Sequence, residues 1–126
     1  MITDKVKQII KEQIGKLPTE SQQAINSFDW LAIITEIGNA NKLLDADINA
    51  LAIETTLAMC AISNPDLFAK NIEEEVLLSK EEAEKIEKEI EEKIFNPIMA
   101  KIPKKEEKKE ETVENLDFIL SGGQTE

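Results

Sequence analysis

Residues 79–98 read SKEEAEKIEKEIEEKIFNPI, and this stretch decides the fold class. Ala83, Ile86, Ile90, Ile94 and Ile98 recur at intervals of three and four, which puts them on one face of an α-helix. Ser79-Lys80-Glu81-Glu82 fits a capping box, in which the serine hydroxyl and the Glu82 carboxylate each satisfy a backbone N–H that the first helical turn leaves without a partner. Glu81 with Lys85, Glu84 with Lys88 and Glu89 with Lys93 stand in the favourable i,i+4 order, each pair worth about 0.2–0.5 kcal/mol. Pro97 is expected to kink or end this helix, because it lacks an N–H and its ring clashes with the preceding turn.

The same period runs through the residues before it. Ile2, Val6, Ile9, Ile10, Ile14 and Leu17 form one helical face that ends near Gly15, since Pro18 follows. Thr19-Glu20-Ser21-Gln22 predicts a second capping box. The helix after it carries Ala24, Ile25 and Phe28, then Leu31, Ile34 and Ile37; Asn26-Ser27-Phe28-Asp29 offers caps at which it bends or splits. Gly38-Asn39-Ala40-Asn41 reads as a stop. From Asp45 or Asp47, Ile48, Leu51, Ala52, Thr55, Ala58, Met59 and Ile62 form an apolar face, and Ile53, Leu57 and Cys60 extend it around much of the circumference. That pattern predicts the buried central helix. Asn64-Pro65-Asp66 starts a short element with Leu67, Phe68 and Ile72 turned inward. β-Branched residues fall at helical spacing and not in alternation, so strands are not expected.

Past Pro103 the composition changes. Residues 104–111 are four Lys and four Glu with no apolar residue, and hydrophobicity returns only at Val113, Leu116, Phe118, Ile119 and Leu120. The expected architecture is therefore all-α: a compact bundle of four to five helices over residues 1–102, a charged linker over 103–112, and a carboxy-terminal segment over 113–126 that holds a short helix and a flexible end.

Length and composition limit the chemistry. A chain of 126 residues is about one domain, and 41% hydrophobic residues suffice for a core. There is no histidine and no tyrosine, every one of the 15 basic residues is Lys, and Cys60 is the single cysteine. A Ser/His or Cys/His nucleophile pair, a Cys/His zinc site and a Glu-x-x-His di-iron site all need histidine. The expectation is a protein that is not an enzyme and uses no cofactor. Cys60, flanked by Met59, Ala61 and Ile62, reads as a small buried hydrophobe. A lone cysteine fits a reducing, cytoplasmic setting. The amino terminus lacks the uninterrupted apolar run of a secretory signal, and the longest uncharged run, Thr55 to Pro65, is short of the roughly 18–20 residues needed to cross a bilayer.

Net charge is −11, which repels phosphate backbones and disfavours direct nucleic-acid binding. The charge is polarised. Residues 1–18 carry four Lys against Asp4 and Glu12, whereas residues 19–66 carry seven acids against Lys42 alone.

Few motifs suggest a ligand. Asp45-Ala46-Asp47-Ile48-Asn49 matches the first oxygen positions of an EF-hand loop, but Ala50 stands where the turn glycine belongs and Thr56 where the bidentate acid belongs. Helix capping is the better reading. Glu73-Glu74-Glu75 and the series Glu84, Glu87, Glu91 read as solvated faces, being interspersed with Lys. Trp30 lies off the face set by Leu31 and Ile34; if exposed it would mark an interface, and otherwise it belongs to the core. Val113, Leu116 and Leu120, spaced by three and four beyond a polar spacer, read as a tethered docking segment or as a helix folding back on the bundle. Asn115-Leu116-Asp117-Phe118-Ile119 resembles, over five residues, the peptide that binds bacterial sliding clamps, with Asn in place of its Gln and different final hydrophobes.

Ala24, Ile25, Trp30, Glu36-Ile37-Gly38, Glu54-Thr55-Thr56, Pro65-Asp66-Leu67-Phe68 and Ile94 to Ile98 occur in an order that resembles a group of small acidic helical proteins from candidate-phylum bacteria. The resemblance covers about two thirds of the chain, from Leu17-Pro18 to Ile98. It implies a helical domain and transfers no functional residue. The function expected from the residues is a protein–protein interaction module, with Trp30, Val113, Leu116, Phe118, Ile119 and Leu120 as candidate contacts, no transmembrane segment, and self-association left open. The alternative is an acidic regulator that mimics nucleic-acid charge and occupies a basic protein surface.

Overall fold

The computed structural model describes residues 1–60 and 65–102. Among these the secondary structure is entirely helical: α1 (Asp4–Ile14), α2 (Thr19–Asn26), α3 (Trp30–Ala40), α4 (Asp45–Met59), a 3-10 turn (Pro65–Leu67) leading into α5 (Phe68–Glu75), α6 (Lys80–Ile90), a π turn (Glu91–Phe95) and α7 (Asn96–Lys101). The last three join end to end, giving six rods where the sequence predicts four or five. The linker 103–112, the segment 113–126 and the cap expected at Asn64 lie outside the described residues.

The extra rod comes from the break between α2 and α3. Ser27 ends α2 and its hydroxyl donates to the Ala24 carbonyl at 2.7 Å; Asp29 then caps α3, its carboxylate accepting from the Ala32 N–H at 3.2 Å. The capping box expected at Thr19 does not form. Pro18 takes the cap position, and the Gln22 amide donates instead to the Leu17 carbonyl at 2.8 Å and the Gly15 carbonyl at 3.2 Å, closing off the end of α1. The box at Ser79 does form. Its hydroxyl accepts from the Glu82 N–H at 3.1 Å, and the Ser79 N–H donates to the Glu82 carboxylate at 3.0 Å.

The stop expected over Gly38-Asn39-Ala40-Asn41 is where α3 ends: Gly38 still lies inside the helix, Ala40 is its last residue, Asn41 caps it, and left-handed Lys42 (φ 63°) turns the chain toward α4. α4 is the buried helix expected, packed against α1, α3 and α5. Thr55 and Thr56 are buried in it, and their hydroxyls donate back to the Leu51 and Ala52 carbonyls at 2.8 and 2.9 Å, so both enter the core paired. The Asp45–Asn49 stretch serves structure. Asp47 accepts from the Leu44 N–H at 3.4 Å, Ile48 is buried, and Asn49 ties the amino terminus down by accepting from the Thr3 N–H at 2.9 Å and donating to the Met1 carbonyl at 3.0 Å.

Pro97 neither ends nor breaks the last rod. The turn before it widens, so that the Asn96 N–H donates to the Glu91 carbonyl five residues back. Each four-residue step over-rotates an α-helix by about 40°, and the wide turn cancels that drift. Ile86, Ile90, Ile94 and Ile98 consequently all remain buried, from one end of the rod to the other. Glu89 does not close on Lys93 but accepts from the Asn41 amide at 3.3 Å, which fastens α6 to the end of α3.

Candidate functional site

The core residues of α2, α4 and α7 converge without filling the space between them. Ile25, Ala58 and Ile98 form the buried floor, Leu17, Met59, Phe95 and Ile102 the half-buried walls, and Met99, 63% exposed, the rim; the cavity is about 240 Å³. Among the described residues, Ser21 supplies the single polar side chain of the lining.

Two contacts set the shape of this groove. Phe95, carried by the π turn, meets Phe68 edge-on, with ring centroids 5.5 Å apart and planes at 61°, a favoured arrangement for the ring quadrupoles. That contact holds one wall upright. At the other end the Lys101 ammonium donates to the Ser27 hydroxyl at 2.8 Å and sits 5.5 Å from the centre of the Phe28 ring, which fixes α7 against the α2–α3 turn. Lys16, next to Leu17, is near enough to Cys60 to act on its thiol: burial pushes the Cys60 pKa up, and the Lys16 charge opposes that rise. The groove is thus apolar within.

Among the described residues, two carboxylates depart from their ordinary pKa range. Glu87 has its pKa raised, first by burial and then by repulsion from Glu91 and Glu84; Glu54 is raised by burial and then by Glu75. These are carboxylates crowded by like charges on partly covered helix faces. Among the described residues no group of three or more His, Cys, Asp or Glu side chains is placed to hold a metal ion. The depression between α5 and α6 is mixed in charge, with Lys70 and Lys80 facing Glu73, Glu74 and Glu84. No described helix is long and apolar enough to cross a membrane.

Of the contacts expected from sequence, Trp30 is corrected: it is 4% exposed and belongs to the core. The buried face of α3 runs through Trp30, Ile34, Ile37 and Gly38, at intervals of four, three and one, so Trp30 shares the face of Ile34 and the half-buried Leu31 is the one that lies beside it. Val113, Leu116, Phe118, Ile119 and Leu120 lie outside the described residues. The groove itself went unread. Its signal was a surplus: Phe95 and Met99 are apolar yet lie off the stripe that Ile90, Ile94 and Ile98 already complete.

No family model, curated protein or solved structure matches this chain.

Proposed function

We propose that this chain is a non-enzymatic protein–protein interaction module that receives an apolar helical segment in the groove between α2, α4 and α7. The observation that supports it is the lining, in which two methionines and a phenylalanine surround an apolar gap between helices. Methionine adapts its shape to irregular partners. A volume near 240 Å³ is below the roughly 300–1,000 Å³ of small-molecule sites, and suits two or three side chains of a docked helix. The absence of histidine and the inert setting of Cys60 support a binding role over catalysis.

Capture from the native cell with three forms of the full chain tests this reading. Wild type and Leu44→Ser, which removes an exposed leucine at the far end of α4, should recover the same partner, and Met99→Glu should lose it. Equal recovery by all three would place the contact elsewhere. Recovery that survives Met99→Glu but collapses with added salt would favour the charge-mimic reading instead.

A further inference from the structure

The groove is lined by the residue at which the last helix ends. Ile102 caps α7 and forms part of the wall, so residues 103–126 start at the site itself. We propose that residues 113–120 of this same chain occupy the groove and must be displaced by any partner; this rests on the groove being the binding surface.

Two observations bear on the occupant. The first is reach. The ten spacer residues 103–112 extend up to about 33–36 Å, whereas α7, whose length the segment would retrace, spans six residues or about 9 Å. The second is pattern. Val113, Leu116 and Leu120 repeat at three and four, the anchor spacing of a helix laid in an apolar groove. A short tether also holds the segment at an effective concentration in the millimolar range, which favours the chain's own segment over one from a second copy.

The test uses the full chain. Its three methionines are Met1, Met59 and Met99, two of them in the groove and one pinned near Asn49 at the other end of α4. In methyl NMR of ¹³C-methionine protein, the double variant Leu116→Asp/Leu120→Asp should shift the Met59 and Met99 signals and leave Met1 unmoved, with an unchanged far-ultraviolet circular-dichroism spectrum reporting the fold; the wild-type positions should not change on dilution. Coincident wild-type and variant spectra would overturn the proposal. So would a wild-type spectrum that moves toward the variant's on dilution, because that means docking between copies. Binding of anilinonaphthalene sulfonate separates this failure from that of the groove: the tail variant should bind the dye several-fold more than wild type, and adding Met99→Glu should remove the excess. Equal, Met99-dependent binding by both would overturn the tail proposal and leave the groove standing, whereas no Met99-dependent binding in either would overturn both.

Discussion

Gly38 on α3 and Ile48 on α4 touch so closely that a Cβ at Gly38 would run into the Ile48 side chain, with Cδ1 at 2.8 Å. Ile48 is fully buried and β-branched, so it has few ways to yield. The two helices cross closely here because one side chain is missing.

That relationship predicts a reversal of sign. Gly38→Ala alone gains about 1 kcal/mol of helix propensity but incurs overpacking of about 1–3 kcal/mol, for a net loss of about 1 kcal/mol. In an Ile48→Ala background the obstruction is gone, and the same change should be neutral or stabilising. Urea denaturation of the four proteins of this cycle measures the coupling, expected to be about 0.5–3 kcal/mol for residues in contact; additive effects would show that the crossing has room to spare.

Leu77 predicts a gain. It has φ 59° just after α5 and is 87% exposed, so it bears the left-handed penalty of a Cβ and contributes almost no burial. Replacing it by glycine should stabilise the protein by about 0.5–1 kcal/mol, a rise in melting temperature of roughly 2–8 °C for a domain of this size. Leu77→Ala keeps the Cβ and should change little. Thermal melts of both variants check this, and an equal gain from Ala would mean that removing an exposed leucine, not relief of backbone strain, is responsible.

Glu54 and Glu87 predict the pH dependence. Both have pKa values raised in the folded chain, so the native state binds more protons than the unfolded state between the ordinary carboxylate pKa and the raised one. Stability therefore falls as pH rises through the raised values, and the full benefit of protonation is present below the ordinary one. Glu54→Gln/Glu87→Gln should melt higher than wild type at neutral pH and show a flatter rise on acidification toward pH 5. Both groups are largely solvated, so screening keeps the gain small, no more than about 4 °C. A steeper slope in the double variant would contradict the sign.

Much of the fold was legible because its determinants are local. The Ser79–Glu82 box, the isoleucine stripe from Ile86 to Ile98 and the all-round apolar character of α4 are set by residues a turn apart, and each occupies the place its spacing indicates. The candidate site was not legible. Leu17, Ile25, Met59, Phe95 and Ile102 belong to four separate stretches of chain, and nothing in their spacing within any one stretch indicates that a gap lies between them.

The sequence by itself determined that this protein is helical and where most of its helices begin, since caps, prolines and apolar periodicity act over three or four residues. Only the tertiary structure decided that Trp30 turns inward, that Gly38 meets Ile48 in close contact, and that α2, α4 and α7 leave a groove lined by Ile102. Those outcomes depend on which faces meet and how closely, and packing between distant segments fixes that, not the local preferences of any one of them.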